Sequence, residues 1–412
     1  MNVLYLDGVG PFGGASRSLF EAVRALAQGD VRPHFVAARG TALDFYSKVA
    51  VDMVTTRGLT RFDNTHYSHY RGVRWLVLLR ELFHVPFTLA ALFKARQKWA
   101  GQIDLIHVNE VTEIIPGLLA KRIFKVPMVV HVRSPQWTTP SWRTRWVHRR
   151  LTQAADAVIA INETTRDTLP AEMPVEVIQN SFTAKRAPNP DPAMLARLDA
   201  LRPDSLKVGF VGNLHVSKGL FDLLDAAKLL RDAGANVEFV IVGGHTRMDT
   251  GLKGWLLKRA GLAQDVHADL VERIAAYGLT DSFHLLGATS DIQCVYERLD
   301  VITFPSHFDA PGRPVFEAAF SSVPSIACVS KPKPDTLVHG ETGLAIPARD
   351  PQALADAIRH FEADRNEVAR MGAQARQLAV DNFDPQLNAR KLRAVYARVH
   401  RSGQATAVQQ PA

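Results

Sequence analysis

Residues 300–328 read DVITFPSHFDAPGRPVFEAAFSSVPSIAC. The short apolar run DVITF ends at Pro-Ser, which predicts a buried strand that runs into a loop. The loop leads into a helix through VFEAAF, and Pro314 suits its first turn, where a missing N–H costs nothing. Gly312, just before that turn, lets backbone approach a ligand closely. The stretch therefore predicts a strand–loop–helix unit of an α/β domain, with a ligand site at the loop.

Charged and hydrogen-bonding groups follow one another through this loop and helix. The N–H groups of the first turn, as far as Val315, form an anion site, and Arg313 adds a cation. Glu317 lies about one turn into the helix and can accept hydrogen bonds from hydroxyls attached to the anion. Asp309 supplies a second carboxylate from the loop. Such a series suits a nucleotide sugar, with cations at the diphosphate, one acid near the sugar and one at the ribose.

The same residues resemble a family signature. DAPGRPVFEAAFSSVPSIA resembles the E-x7-E signature of the retaining glycosyltransferases of the GT-B group 1 class, family 4. In this resemblance Asp309 takes the place of the usual first Glu, and Glu317 is the second. HGETGLAIPARDPQALADAI, residues 339–358, resembles the segment that follows in that family. The alternative is an ordinary strand–loop–helix unit with acids on its surface.

Size and charge limit the class of protein. The 412 residues suffice for two or more domains with their own cores, and the net charge of +8 indicates an anionic partner. Nothing resembles a nucleic-acid-binding module, so a phosphorylated substrate or a lipid surface is favoured. Cys294 and Cys328 are predicted to be buried, reduced thiols of a reducing compartment. The beginning, MNVLYLDG, predicts a first strand rather than a signal peptide.

The first half alternates predicted strands and helices. Gly13 and Gly14 follow the first strand, where a phosphate or sugar could approach bare backbone; a tight βα turn explains them equally well. The strand VPMVVHVRSP has His131 and Arg133 near its carboxyl end. Arg133 stands where the related enzymes commonly have a sugar-contacting His, and it could meet an anionic donor or acceptor instead. His131 is at least as well explained as a core residue.

Two stretches of the first half raise the question of a membrane. Residues 66–99 are rich in apolar side chains, but Arg80, Glu81, His84 and Pro86 interrupt them, so a spanning helix is excluded. The stretch predicts core helices or an interfacial helix that contacts lipid. SWRTRWVHRR, residues 141–150, combines arginines with Trp142 and Trp146. It fits a solvated helix face or an anchor to an anionic membrane surface.

The pattern restarts after a segment rich in Pro and Asp. LKVGFVGNLHVSKGLFDLLDAAKLL, residues 206–230, predicts strand, glycine loop and helix, and Lys218 before the helix can neutralise a diphosphate. The family usually has an Arg shortly after the first glycine, where Asn213 stands here, and a Lys where Lys218 stands. A solvated surface lysine is the alternative. Residues 245–267, with Lys253, Trp255, Lys258 and Arg259, form an insertion that could cover the site or contact a partner.

These elements predict an α/β protein with two Rossmann-like doubly wound domains facing across a cleft, and the family resemblance implies that this is the GT-B fold. We expect an acceptor-side domain over residues 1–185, a linker over 186–205 and a donor domain over 206–385. A last helix, 386–403, should cross back to the first domain and precede a flexible tail, 404–412.

The resemblance implies a retaining, hexosyltransferase-like enzyme. It would move a sugar from a UDP- or GDP-sugar to a glycan or lipid-linked acceptor, in cell-surface polysaccharide or glycolipid synthesis. Lys218, Arg313 and the Gly312–Val315 amides would stabilise the departing diphosphate. Glu317 would hold the ribose and Asp309 would orient sugar hydroxyls.

We predict Asp309, Arg133 and His131 as catalytic residues. The predicted donor-binding residues are Gly13, Gly14, Asn213, Lys218, Gly312, Arg313, Val315 and Glu317. Gly13, Gly14 and Arg133 would complete the site from the first domain. The sequence has no CxxC, HExxH, EF-hand, Walker or DxD pattern, so we expect neither metal nor cofactor. The expected location is the cytoplasm, with an anionic membrane surface on its inner face as a candidate partner and no nucleic acid. The rivals are a nucleotide-sugar epimerase and a non-catalytic sugar- or lipid-binding protein on the same fold.

Overall fold

The computed structural model of the chain describes residues 1–66, 70, 77–188, 191–244 and 266–408, the last five of these by their backbone alone. Contacts between residues divide the chain into two units. Unit 1 comprises Met1–Thr183 and Asn382–Ala412, and unit 2 comprises Ala184–Asp381. Each unit has a parallel sheet of its own, so each is built as a separate α/β domain.

Unit 1 has a seven-stranded parallel sheet in the order β3-β2-β1-β4-β5-β6-β7. The central strands are apolar and buried on both faces, as a parallel sheet between two helical layers requires. The strands are β1 Asn2–Asp7, β2 Arg32–Ala38, β3 Asp52–Thr56, β4 Leu105–Val108, β5 Met128–Val132, β6 Ala157–Ala160 and β7 Val175–Val177. The helices before unit 2 are α1 Gly14–Leu26, α2 Leu43–Tyr46, α3 Val77–Lys98, α4 Ile114–Phe124, α5 Trp142–Ala154 and α6 Glu163–Arg166, with a 3-10 turn at Val111–Glu113.

Unit 2 has a six-stranded parallel sheet in the order β10-β9-β8-β11-β12-β13. Its strands are β8 Leu206–Val211, β9 Val237–Val242, β10 Phe283–Gly287, β11 Val301–Phe304, β12 Ser325–Cys328 and β13 Gly343–Ile346. Its helices are α7 Pro192–Asp199, α8 Leu220–Asp232, α9 Val266–Ala276, α10 Ile292–Tyr296, α11 Arg313–Ala319 and α12 Pro351–Ala363, with a 3-10 turn at Val216–Lys218. The strand–loop–helix unit predicted around Pro314 is confirmed as β11 and α11.

The end of the chain belongs to unit 1. The division between the units falls near the end of α13, Arg365–Phe383, and the following α14, Pro385–Val408, packs on α1. The helix continues beyond Gly403, into the segment predicted as a flexible tail, because its alanines and glutamine favour helix. Gly403 lies so close to Pro127 that an added Cβ would be 2.5 Å from the proline ring.

Two cores cover the faces of the sheet in unit 1. Apolar side chains of α1 and α14 pack on one face, and those of α3, α4 and α5 pack on the other. Residues 67–69 and 71–76 of the apolar stretch lie outside the described residues, and α3 begins directly after them. Among the described helices, none combines the length and the apolar character needed to cross a membrane.

Local structure differs from two expectations. The segment predicted as a linker contains α7, because Asp191 accepts a hydrogen bond from Ala193 N at 2.9 Å and Pro192 begins the helix. An Asp directly before a helix is expected to cap it. Asp291 lies at the N-cap position of α10, but its side chain makes no capping hydrogen bond. Its carboxylate lies 3.8 Å from the guanidinium of Arg186 instead. Cys294 and Cys328 are free and buried, in a helix and a strand as predicted.

Candidate functional site

The candidate site of unit 2 lies where the strand order of its sheet reverses. β8 and β11 are hydrogen-bonded neighbours although three helices and two strands separate them in the described chain. Ligands of open α/β sheets bind outside the carboxyl ends of the strands at such a point. β8 ends at Val211 and β11 ends at Phe304. Residues 212–219 and 305–313 therefore form the loops that meet there.

The ring of Phe304 joins these two loops. The ammonium of Lys218 lies over the ring, 5.3 Å from its centroid. From the other loop, Gly312 approaches so closely that an added Cβ would lie 2.2 Å from the ring. Burial lowers the pKa of the half-buried Lys218. The predicted cation and the beginning of α11 thus lie at one aromatic ring, and a side chain at position 312 would have to displace that ring.

Backbone contacts hold the turn that presents Lys218. Gly219 has a φ of 72°, and an added Cβ there would lie 1.8 Å from the carbonyl oxygen of Pro305. The Ser306 hydroxyl and the His307 amide both donate to the Ser217 carbonyl, at 3.4 and 3.0 Å. The loops after β8 and β11 are therefore fastened together directly beside Lys218.

A histidine–carboxylate pair adds to this fastening. His307 Nε2 lies 2.7 Å from Oδ2 of Asp222 in α8, and both side chains are largely buried. This pair was not predicted from the sequence because the two residues are far apart in the chain. The position of His307 three residues after a predicted buried strand was the signal available.

Arg313 and Glu317 form an ion pair along α11. Arg313 Nε donates to Glu317 Oε1 at 2.7 Å, and Tyr296 Oη donates to Oε2 of the same carboxylate at 2.9 Å. Glu317 is buried, whereas Arg313 remains partly exposed and also lies over the ring of Phe316, at 5.2 Å. The structure brings the two residues together, but their charged groups pair with each other.

Two further residues of this site are engaged by neighbours. The Val315 amide, predicted to face an anion, donates to the Gly312 carbonyl at 3.1 Å in this structure. The tight first turn of the seven-residue α11 uses it internally. Asp309 is exposed, and its carboxylate accepts hydrogen bonds from the amide (2.6 Å) and the hydroxyl of Ser330.

Asn213 lies exposed two residues beyond β8, at the same edge of the sheet. Most of the predicted insertion, residues 245–265 with Lys253, Trp255, Lys258 and Arg259, lies outside the described residues, and its last two residues begin α9.

Unit 1 reverses its strand order between β1 and β4, and glycines follow β1. Gly13 is the N-cap residue of α1 and Gly14 is its first residue. Both are exposed, and nothing lies within 4 Å of a Cβ added to either. Their backbone at the beginning of α1 is therefore accessible, and binding of a phosphate or sugar there stays a prediction.

Arg133 is the centre of a buried polar network just beyond the end of β5. Its Nε donates to the backbone and side-chain oxygens of Asn109, at 3.0 and 2.7 Å, and a terminal nitrogen donates to Asn180 at 2.8 Å. The other terminal nitrogen lies 3.3 Å from Nδ1 of His131. Arg133 and His131 thus lie next to each other at the carboxyl end of β5.

The neighbouring histidines are kept neutral. Burial, followed by the charge of Arg133, lowers the pKa of His107 to about 3 and holds the pKa of His131 well below its usual range. His107 Nδ1 lies 2.7 Å from the hydroxyl of Tyr396 in α14. A neutral His131 next to a guanidinium can serve as a hydrogen-bond acceptor for it.

Three buried carboxyls near this network were not predicted. Asp7 receives hydrogen bonds from Tyr46 and Asn109, and Gly8 N donates to Glu113 at 2.5 Å. Burial raises the pKa of both Asp7 and Glu113, and the charge of Asp7 raises the pKa of Glu113 further. Burial also raises the pKa of Glu110 to about 7, although three donors bond its carboxylate. At Glu110 the effect of desolvation on the pKa is therefore larger than the opposite effect of the hydrogen bonds.

Comparison with known proteins shows the class. The chain matches the family "Glycosyl transferases group 1" over residues 199–378 and "Glycosyltransferase Family 4" over residues 12–186. The group 1 match lies in unit 2. The family 4 match, which precedes it in the chain, lies almost wholly in unit 1. Its fold is the two-domain α/β GT-B fold. The chain belongs to the family 4-like group 1 glycosyltransferases and is a glycosyltransferase.

Its relatives are similar at a moderate level. The chain is 25% identical over 311 residues to a glycogen synthase of Mycobacterium tuberculosis, covering 72% of this chain and 69% of the relative. It is 27% identical over 303 residues to the lipopolysaccharide core biosynthesis mannosyltransferase LpsB of Rhizobium meliloti, covering 72% and 79%. Alr3699/HepE of Anabaena, crystallised with UDP, has a similar fold, with a TM-score of 0.74, 20% identity, and coverage of 97% and 100%.

Proposed function

We propose that this protein is a retaining, metal-independent, hexosyltransferase-like enzyme that moves a sugar from a nucleotide-diphosphate sugar to a glycan or lipid-linked acceptor. The observation that supports the donor most directly is the meeting of Lys218 and Gly312 at the ring of Phe304, at the point where the strand order reverses. That place offers positive charge and close backbone approach, which a diphosphate needs.

The proposed donor is a UDP- or GDP-sugar. Alr3699/HepE has been crystallised with UDP-glucose, and its fold matches this chain over 97% of its length. Glu317 has a carboxylate with about four lone-pair sites, of which Arg313 and Tyr296 use two. We assign the remaining capacity to the ribose hydroxyls. Asp309, fixed by Ser330, would orient the hydroxyls of the sugar.

The chemical role of the site is electrostatic. When the bond between the sugar and the diphosphate breaks, negative charge grows on the leaving group. Lys218 is positioned by its turn and partly removed from water, so its charge acts more strongly there than in bulk solvent. Arg313 would add a second charge, partly offset by Glu317. The described residues contain no group of three or more His, Cys, Asp or Glu that could hold a metal ion. The proposal assigns the charge stabilisation to Lys218 and Arg313.

The retaining course is proposed from the family resemblance. In this class the acceptor is thought to attack on the face that the leaving group departs from, so no protein nucleophile is required. We assign the acceptor to unit 1, with Arg133 and His131 as its candidate contacts. The accessible backbone of Gly13 and Gly14 remains a proposed contact of the donor. Retention predicts that product and donor have the same anomeric configuration.

The proposed acceptors belong to cell-surface polysaccharide or glycolipid synthesis. LpsB acts in lipopolysaccharide core biosynthesis, and a further relative, CapM of Staphylococcus aureus, is a capsular polysaccharide biosynthesis glycosyltransferase with 25% identity over 194 residues. A lipid-linked acceptor would bring the enzyme to the inner, cytoplasmic face of an anionic membrane, and we include peripheral attachment there in the proposal.

A transfer assay tests this function. The protein is incubated with UDP- and GDP-sugars, with and without a lipid-linked glycan extract, and both free nucleotide and sugar products are followed by mass spectrometry. Acceptor-dependent release of nucleotide, with α-anomeric product from an α-linked donor, is the expected result. Nucleotide release with an epimerised free sugar and no acceptor would show an epimerase. Tight nucleotide binding without any turnover would show a non-catalytic binding protein.

A further inference from the structure

An exposed apolar stripe extends along α3 in unit 1. Leu79, Leu82, Phe83 and Phe93 are 63, 65, 52 and 54% exposed, and Pro86 and Ala90 between them are exposed too. These positions recur every three or four residues, so they share one face of the helix. From Leu79 to Phe93 the stripe is about 21 Å long. The opposite face of the same helix, including Ala91, Leu92 and Ala95, is buried in the core.

Basic side chains border this stripe. Arg57 lies over the rings of Phe83 and Phe87, at 5.3 and 5.7 Å, and Arg80, Lys94 and Lys98 lie exposed on α3 itself. The single acid within the described α3 is Glu81, which is buried and is bonded by Arg80 and by the Arg61 amide. The exposed surface of the helix is therefore apolar and positive, with no exposed carboxylate of its own.

α5 extends this surface. It packs on α4, which packs on α3, so the three helices lie side by side on one face of the sheet. Trp142, at its beginning, is 60% exposed and lies 5.9 Å from the ring of Phe62. Arg145, Arg149 and Arg150 are exposed, and the described α5 contains no acid.

We propose that the exposed faces of α3 and α5 bind the surface of an anionic lipid bilayer. α3 would lie in the plane of the interface, with Leu79, Leu82, Phe83 and Phe93 among the acyl chains and the arginines and lysines at the lipid phosphates. Trp142 suits the headgroup level, where one end of an indole is apolar and the other is wet. The inference rests on the proposed lipid-linked acceptor, and it adds the surface of unit 1 that would contact the membrane.

Charge selects the bilayer among the candidates for this surface. A second copy of the chain would place its own arginines and lysines against these, and like charges across an interface oppose association. An anionic bilayer neutralises them, and it accepts an apolar stripe without a matching groove. A single exposed leucine needs no explanation, but four large apolar side chains that are exposed on one helix do.

Vesicle co-sedimentation of the full chain tests this inference. The probes are vesicles of phosphatidylcholine alone and of phosphatidylcholine mixed with phosphatidylglycerol, at low and high salt. We expect binding to the mixed vesicles that weakens with salt, and much weaker binding to the neutral ones. Leu79→Gln/Leu82→Gln/Phe83→Gln should lower the partition coefficient about tenfold or more, because it removes apolar area that enters the bilayer.

Matched variants away from α3 and α5 serve as controls. Leu229→Gln/Val271→Gln/Val380→Gln removes three apolar side chains with 37, 48 and 44% exposure and should bind vesicles like the wild type. In the same way Arg145→Gln/Arg149→Gln should weaken binding to the mixed vesicles about tenfold or more. The control variant Arg376→Gln/Arg390→Gln, which also replaces two exposed arginines, should bind the mixed vesicles like the wild type.

The outcomes are separable. Equal vesicle binding by the stripe variant, its control and the wild type would overturn the inference, as would absence of wild-type binding to mixed vesicles. Loss of a dimer in sedimentation velocity, with vesicle binding unchanged, would show a self-association surface instead. If the triple variant fails to fold by circular dichroism, Leu82→Gln replaces it. No sugar donor is used, so failure here leaves the proposed transfer activity untouched, and the reverse also holds.

Discussion

Arg313 and Glu317 lie one turn apart on α11, and the guanidinium donates to the carboxylate at 2.7 Å. The pair places opposite charges at the beginning of the helix that follows β11. Because Glu317 is also bonded by Tyr296, its carboxylate is fixed in place before any ligand arrives. A preorganised acceptor of this kind loses little conformational freedom when it binds a hydroxyl.

Replacing this carboxylate should weaken nucleotide binding. Glu317→Gln keeps the shape of the side chain but removes the charge that accepts hydrogen bonds. We expect the affinity for the preferred nucleoside diphosphate to fall about tenfold to a hundredfold, since a hydrogen bond to a charged group contributes roughly 1.5–3 kcal/mol. Calorimetric titration measures this. Glu272→Gln, at an exposed position of α9 in the same unit, is the control and should bind as the wild type does.

Lys218 should distinguish a diphosphate from a bare nucleoside. Lys218→Ala removes the ammonium over Phe304 but leaves the turn, which is held by backbone bonds to Ser217. We expect at least about tenfold weaker binding of the nucleoside diphosphate and unchanged binding of the nucleoside. The exposed Lys331→Ala provides the comparison. Equal losses for both ligands would show that Lys218 does not meet the phosphates.

Gly219 should be far less tolerant of a side chain than another glycine with the same backbone conformation. Gly219 and Gly234 have φ values of 72° and 74°, but a Cβ at 219 would lie 1.8 Å from the Pro305 oxygen, whereas nothing lies within 4 Å at 234. Gly234→Ala should lower the free energy of unfolding by about 1 kcal/mol. Gly219→Ala should lower it by about 3 kcal/mol or more, because backbone must move.

Urea unfolding of the two glycine variants measures this difference, and nucleotide binding gives a second readout. The displaced loops should weaken the nucleotide in Gly219→Ala but not in Gly234→Ala. Similar unfolding midpoints for the two variants would contradict the close contact between the loops after β8 and β11.

Glu110 should make the stability of the protein depend on pH. Burial raises its pKa from 4.5 to about 7 in the folded chain. As the pH rises from about 4.5 to 7, the unfolded chain loses this proton before the folded chain does. The contribution of Glu110 to the free energy of unfolding therefore falls by about 3 kcal/mol. His107, with its pKa lowered to about 3, acts in the opposite direction below pH 6.5 and partly cancels the trend.

The variant Glu110→Gln isolates this contribution. Its free energy of unfolding relative to the wild type should rise between pH 5 and pH 8, since it cannot ionise. Urea unfolding at several pH values measures the difference, with Glu272→Gln as the control for an exposed acid. A difference that stays constant with pH would mean that Glu110 is ionised without penalty in the folded chain.

Much of the fold followed from local patterns. Apolar runs such as DVITF and VEFVIV identify strands that are buried on both faces, and the glycines after β1 and β8 mark the turns into helices. The helix at Pro314 was predictable because proline and glycine restrict local backbone. α7 was missed because Pro and Asp before it resemble a linker, although together they form a helix cap.

The site was less accessible to sequence reasoning. Lys218 and Gly312 are far apart in the chain, and their meeting at Phe304 depends on the pairing of β8 with β11. The amide of Val315 is used by the first turn itself, a detail of helix geometry that residue types do not specify. The buried carboxyls Asp7 and Glu113 could have been suspected from their positions after strands, but their proximity is a product of packing.

The central proposal is that unit 2 binds an activated sugar by its diphosphate, where the loops after β8 and β11 meet. A thermal-shift series with UDP, GDP, ADP and their sugars on the wild type, Lys218→Ala and Glu317→Ala addresses it directly. We predict that one nucleoside diphosphate and its sugar raise the melting temperature of the wild type, because a ligand at a hundred times its Kd adds about 2.7 kcal/mol of stability. The shift should shrink in Lys218→Ala and vanish in Glu317→Ala. An equal shift in all three proteins, or no shift with any nucleotide, would contradict this account.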